Sequence, residues 1–284
     1  MGEGYQKILL MGTGRLFLDC LEYVSKLDIP YEGFDMSGEK SSLTQKQARG
    51  RGLSCAVAQK EELFSRLALE EKKILLLSVI NPVLLPAEIL KKKNIRALNC
   101  HQALLPRHRG RNAESWAIYE GDSSAGITWH TMTEKVDRGE ILAQNEVPIT
   151  EETTAYKLFR QQIRLAYEAF TEFMPEVLAG REVYHSMEPG KPGDFHYSYE
   201  VPAGGILDPQ WSGAQISRFL RGMDYGMLQV LGQPKILVQG KEYRIKKYQI
   251  QRFAEPQEDE LRIEPKQLVL VRQDYCFILQ LARL

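Results

Sequence analysis

The stretch Lys7-Ile8-Leu9-Leu10-Met11-Gly12-Thr13-Gly14 decides the fold. Its apolar run has no alternation, which reads as a strand covered on both faces, the environment of a parallel sheet. Gly12-Thr13-Gly14 stops the strand, and Leu16, Cys20, Leu21, Val24 and Leu27 then recur at helical spacing. The same order repeats down the chain. Tyr31–Phe34 predicts a strand before a helix over Leu43–Arg51, and Ser54–Ala58 one before Glu61–Leu69. Lys73–Val79, the clearest buried strand, precedes a helix over Pro86–Lys93 that opens on proline, and Arg96–Cys100 follows as a further strand. This alternation predicts an α/β fold with a doubly wound, mostly parallel sheet, whose ligand site lies beyond the carboxyl ends of the strands.

From Gly126 the pattern changes. Ile127–Met132 predicts a strand and Glu140–Val147 its antiparallel partner, with Asp137 in the loop between them; a long helix then runs from Thr153 or Thr154 to a stop at Gly180. The segment from Glu188 is rich in proline and glycine and reads as a linker. Ser212-Gly213-Ala214-Gln215 is a capping-box pattern opening an amphipathic helix. Beyond it, Lys235–Val238, Glu242–Gln251, Gln267–Arg272 and Cys276–Leu281 read as short strands, with turns at Gln239-Gly240 and Gln273-Asp274. The expected organisation is an α/β domain over 1–187, a linker over 188–210, and a helix plus a small C-terminal β subdomain over 211–284.

Lys+Arg and Asp+Glu are equal at 37 each. A chain with no net charge is poorly suited to holding a large RNA, although Arg107, His108, Arg109 and Arg111 form a local basic run. The cysteines (Cys20, Cys55, Cys100 and Cys276) are far apart with no C-x-x-C pair, and read as reduced thiols in a cytoplasmic protein. The chain starts almost directly with its first strand, without a signal or myristoylation pattern, and Ile74–Leu85 is broken by Asn81-Pro82 and too short to span a bilayer.

The chemistry concentrates in Asn99-Cys100-His101-Gln102-Ala103-Leu104-Leu105-Pro106, with His130 31 residues after Asn99, and in Asp137-Arg138-Gly139-Glu140. Asn99 and His101 share one face of a strand, so an amide donor and an imidazole aim at one point, while Cys100 turns away. Amide, imidazole and carboxylate together polarise a carbonyl and move a proton, as acyl transfer to an amine requires. For each residue a plainer reading exists: a structural His101, a loop-capping Asp137, core packing for Leu84 and Leu85. His101, His108 and His130 with Asp137 match no familiar zinc spacing, and no metal is expected. Gly12-Thr13-Gly14 lacks the third glycine of a dinucleotide loop, position 17 being Phe, and only Asp35 offers itself for a ribose; a tight turn is the better account.

With its surroundings, Leu98–Arg111 resembles the signature of the 10-formyltetrahydrofolate-dependent formyltransferases, and Gly126–His130 and Val136–Leu142 resemble that family's later motifs in order. The resemblance runs from Lys7 to about Gly180. It implies a Rossmann-like formyltransferase fold with an OB-like tail, 10-formyltetrahydrofolate as co-substrate, and Asn99, His101 and Asp137 as catalytic residues. It further implies a pterin pocket of main chain beside Leu84, Leu85 and Pro86 and beside Val136 and Gly139. Gln102 departs from the Ser- or Pro-containing turn usual after the histidine, and Asp35–Arg51 lacks the long basic insertion that the tRNA enzyme carries. Leu220–Gly226 with Gly232–Lys235 is more similar to formyltransferases of specialised metabolism. The expected acceptor is therefore a small amine: an amino acid, hydroxyornithine, a carrier-bound aminoacyl group or a nucleotide amino sugar. Trp116, Tyr119, Trp129, Phe195, Tyr197, Tyr199 and Trp211 read as acceptor-pocket walls or as packing. Methionyl-tRNA formyltransferase and formyltetrahydrofolate hydrolase stand as alternatives. Neither a membrane nor a nucleic-acid partner is expected, and the β-rich tail is the segment through which a homodimer would form.

Overall fold

A computed structural model describes residues 4–39, 41–188 and 195–283; the first three residues and the 189–194 part of the expected linker lie outside the described residues. The strands are β1 (Lys7–Gly12), β2 (Tyr31–Asp35), β3 (Cys55–Val57), β4 (Ile74–Val79), β5 (Ile95–His101), β6 (Arg109–Gly110), β7 (Ser124–Thr131), β8 (Ile141–Pro148), β9 (Phe195–His196), β10 (Ile206–Leu207), β11 (Lys235–Val238), β12 (Lys241–Glu264) and β13 (Gln267–Arg283). The helices are α1 (Gly14–Val24), α2 (Leu43–Gly50), α3 (Lys60–Leu69), α4 (Ala87–Leu90), α5 (Ala113–Glu120), α6 (Ala155–Ala179) and α7 (Gly213–Gly222). Contacts divide the chain into two compact units. The first contains Met1–Gly110, Gly126–Glu146 and Gln161–Phe195; the second contains Arg111–Ala125, Val147–Arg160 and His196–Leu284.

The first unit carries the expected doubly wound sheet, in the order β3-β2-β1-β4-β5-β7-β8. β1 pairs parallel with both β2 and β4, and β4 with β5, so the sheet winds outward in both directions from the β1/β4 boundary. At that boundary a Cβ on Gly12 would lie 1.8 Å from the Val79 carbonyl oxygen, so only glycine lets the two strand ends meet. Thr13 Oγ1 bonds Thr44 Oγ1 at 3.0 Å, and the fully buried Asp35 accepts from Ser37 and Ser42 hydroxyls. The Gly12-Thr13-Gly14 turn and Asp35 are thus accounted for by packing and local hydrogen bonds.

One face of the sheet packs Ile8, Leu10, Leu75, Leu77, Leu98 and Trp129 against α1 and the later turns of α6; the other packs Leu9, Met11 and Leu76 against Leu63, Leu67, Leu85 and Ile89. Trp129, expected as a pocket wall or as packing, is core: fully buried, with its indole N–H donating to the Ala166 carbonyl at 3.0 Å. Cys20 and Cys100 are buried in the same core, and desolvation pushes both thiols up, which leaves them protonated and unreactive.

In the second unit, α7 opens with the expected capping box, Ser212 and Gln215 bonding reciprocally. Its buried Ile216, Phe219 and Leu220 pack with Leu268, Leu270, Phe277 and Leu279. The small β subdomain is an open four-stranded sheet, order β10-β11-β12-β13. Gln239 and Gly240, both at positive φ (50° and 71°), make the tight turn between β11 and β12. The Gln273-Asp274 turn is a correction: Gln273 (φ 51°) sits inside one continuous strand, β13, where the pairing with β12 slips its register. Trp116 of this unit stacks on His196 with ring centroids 4.2 Å apart. Among the described residues, no helix is long and apolar enough to cross a membrane.

Candidate active site

β5 ends in Asn99 and His101, two residues apart and therefore on one face. Its neighbour β7 runs antiparallel, and the register places His130 directly opposite Asn99. Cross-strand partners lie close enough for side chains to bond, and Asn99 Nδ2 is 3.2 Å from His130 Nε2. The spacing between those two residues is thus the length of chain needed to leave β5 and return along β7.

Asp137 comes from the loop between β7 and β8. Thr131 closes that loop: its N–H donates to the Glu140 carbonyl and its hydroxyl accepts from the Glu140 N–H, both at 2.9 Å. Gly139 makes the closure feasible, because a Cβ there would fall 1.6 Å from the Thr131 carbonyl oxygen. Asp137 is itself in the left-handed region at φ 50°, an unfavourable conformation for a non-glycine residue that its hydrogen bonds and packing must hold.

The segment after His101 is anchored to the sheet. The Thr128 hydroxyl donates to the Ala103 carbonyl at 2.7 Å and accepts from the Leu105 N–H at 3.2 Å, and Gln144 Nε2 donates to the Leu105 carbonyl at 3.0 Å. His108 then adopts φ 49° and turns its carbonyl to His101 Nε2 at 2.9 Å. Two residues on, the Gly110 N–H donates to Asp137 Oδ2 at 2.9 Å.

These anchors bring the three expected catalytic residues together. His101 Nδ1 lies 3.6 Å from Asp137 Oδ2, and His130 Nε2 lies 3.5 Å from Oδ1, so the carboxylate stands between two imidazoles. Burial alone would raise the Asp137 carboxyl. The opposing charge of His101, the His130 ring and the Gly110 N–H outweigh it and hold the group well below the usual carboxylate range. At neutral pH it is an anion. A carbonyl only accepts, so His101 Nε2 carries a hydrogen toward His108.

The expected cofactor-contacting residues behave differently from one another. Leu85 belongs to the core with Met11, Leu76 and Ile89, whereas Leu84 is 69% exposed and Pro86 caps the start of α4. Val136 is half-buried beside Asp137, and Gly139 is buried under Thr131. Two contributors are absent from the expected set: the His108 carbonyl and the His130 ring. No side-chain pattern announces a carbonyl. His130 was visible in sequence, but its partnership with Asn99 needs the strand register.

The fold and the cluster define a doubly wound α/β protein with a buried amide–imidazole–carboxylate site at a strand end, a class suited to acyl transfer. Residues 38–174 match the model of the formyl transferase family. It is 35% identical over 176 residues to GDP-perosamine N-formyltransferase of Brucella melitensis, covering 60% of this chain; the chain spans 62% of that relative's length. Its fold is similar to a sugar 3-N-formyltransferase solved with dTDP and 5-N-formyl-THF (TM-score 0.75, 15% identity, 99% of this chain and 98% of that one). It is also similar to an N-formyltransferase of Helicobacter canadensis in complex with folinic acid and dTDP-3-aminofucose (TM-score 0.73, 16% identity, 98% and 100%).

Proposed function

We propose that this protein transfers a formyl group from 10-formyltetrahydrofolate to the amine of a small acceptor, and that the acceptor is a nucleotide-linked amino sugar. The observation that carries the reaction type is the convergence of Asn99, His101 and Asp137, with His130 between Asn99 and Asp137, in one cluster at the end of β5. The acceptor class rests on the Brucella relative, which acts on GDP-perosamine by its name.

In the proposed reaction the neutral amine attacks the formyl carbon, and negative charge grows on the formyl oxygen. Asn99 N–H and a protonated His101 stabilise that charge as it develops. To reach the oxygen, His101 Nε2 exchanges its bond to the His108 carbonyl for one to substrate. Asp137, held ionised, keeps the imidazolium in place and is the polar group beside it through which the amine's proton is relayed to N10, as the formyl C–N10 bond breaks and tetrahydrofolate leaves. The strong depression of the Asp137 carboxyl makes it a poor store for that proton, so its principal role is electrostatic. Main chain around Leu84-Leu85-Pro86 and around Val136 and Gly139 lines the pterin side, with Leu85 supporting from the core.

The test is a single incubation set. Formyl-folate is supplied with GDP- and dTDP-linked amino sugars, free amino acids, hydroxyornithine, a carrier-bound aminoacyl group, methionyl-tRNA, or no amine. Folate product that appears only with a nucleotide amino sugar is the expected result. Formate release without amine would mean a hydrolase, and transfer only to another amine would overturn the acceptor class.

A further inference from the structure

His130 is 2% exposed and stands behind the three proposed catalytic residues, away from direct access to a substrate. It nevertheless touches two of them through one ring nitrogen, Nε2, at 3.2 Å from Asn99 Nδ2 and 3.5 Å from Asp137 Oδ1. Its other nitrogen, Nδ1, is 2.8 Å from the Thr131 carbonyl. That carbonyl only accepts, so Nδ1 carries the hydrogen, and in the neutral ring Nε2 is left as an acceptor. The bond to Asn99 then runs from amide to imidazole. One N–H of the amide is committed to His130, and the second is free to point at a reacting oxygen.

From this geometry we infer that His130 is a positioning residue: it fixes the orientation of the Asn99 amide across the β5–β7 pair. The inference deepens the proposed formyl transfer and rests on that reading for its kinetic arm. Thr131, which sets the tautomer of His130, also closes the Asp137 loop through Glu140. Thr131 therefore links the imidazole that orients the amide donor to the loop that carries the carboxylate.

The test uses the full chain and three substitutions that separate the two ring nitrogens. His130→Gln places a polar atom near the position of Nε2, His130→Asn places one near Nδ1, and His130→Phe keeps the ring volume with neither. Expected results are a kcat reduced about 10–100-fold in the Phe and Asn variants, since a displaced oxyanion donor loses part of its effect. The Gln variant should return to within about threefold of the parent. KM for formyl-folate and the thermal midpoint should stay near the parent values in the variants. A Phe variant that folds and keeps full kcat, or an Asn variant that rescues as well as Gln, would overturn the inference. An arm independent of turnover is ¹⁵N NMR of the imidazoles in the unmodified protein. His130 should show a protonated Nδ1 and an acceptor Nε2 whose shift moves in Asn99→Ala; a protonated Nε2, or no response, would overturn the inference. Loss of formyl transfer to every acceptor in the unmodified protein would refute the proposed function while leaving the NMR arm to decide this one.

Discussion

Gly139→Ala is the sharpest test of how the Asp137 loop is built. The new Cβ would sit 1.6 Å from the Thr131 carbonyl oxygen and 2.6 Å from its hydroxyl, against backbone that cannot rotate away. The loop must open by an ångström or more to restore ordinary van der Waals separation. Opening it breaks both Thr131–Glu140 hydrogen bonds. At about 1 kcal/mol net each, with roughly 1–2 kcal/mol of residual strain, the loss is about 3–4 kcal/mol. That corresponds to a melting midpoint lowered by roughly 6–15 °C for a unit of this size. The same displacement moves Asp137 off both imidazoles, and a misplacement of about 1 Å at a reacting site costs on the order of 10²-fold in rate. The assays are thermal unfolding and steady-state kinetics with the formyl donor saturating. A variant that melts within 2 °C of the parent (about a 1 kcal/mol effect) and turns over at a comparable rate would refute the account of the loop.

The remaining predictions concern charge and local packing. Asp137→Asn keeps the shape and removes the anion, so kcat should fall about 10²–10⁴-fold while formyl-folate still binds, as equilibrium dialysis would show. The Asp137 carboxyl is depressed in the folded state, so it contributes stability that is fully present above the ordinary carboxylate range, near 4, and is lost as pH falls toward its folded value. Acid unfolding followed from pH 5 to 2 should accordingly be shallower in Asp137→Asn than in the parent. In the second unit, Arg221 is buried and donates to the carbonyls of Thr150 and Thr153 at 3.1 and 2.8 Å. Arg221→Met should destabilise by about 2–3 kcal/mol by orphaning those acceptors, read as a denaturant midpoint shift.

The doubly wound sheet was legible because each strand carries an unbroken apolar run bounded by turn residues, as Lys7–Met11 and Lys73–Val79 show. Helix α5 was not, since Ala113, Glu114, Ser115, Ala117 and Ile118 are all buried and leave no polar stripe to mark a helical period. The far half of β12 was hidden for the opposite reason. Glu255, Glu258, Asp259 and Glu260 argue against a strand by propensity, and what carries the strand on is the pairing of Glu260–Ile263 with the apolar run Leu268–Val271 of β13. Asn99, His101 and Asp137 could be named because their residue types fit one chemistry. The contacts that hold them could not, because a carbonyl aimed by His108 at φ 49° and the Asn99–His130 pairing are properties of backbone conformation and register rather than of residue identity.

The antiparallel pairing of β5 with β7 also ties the site to the core in a way that limits how the chain can vary. Trp129 and His130 are adjacent on β7 and point to opposite faces, the indole into the core and the imidazole toward Asn99. A slip of β7 by a single residue would exchange them, placing an indole in the reaction site and an imidazole among Phe170 and Phe173. The bulk of Trp129 therefore penalises the misaligned pairing, since a slip would strip it from the core. Insertions of one residue within β7 should be far more damaging to activity than insertions in the exposed Thr133–Lys135 part of the loop that follows it.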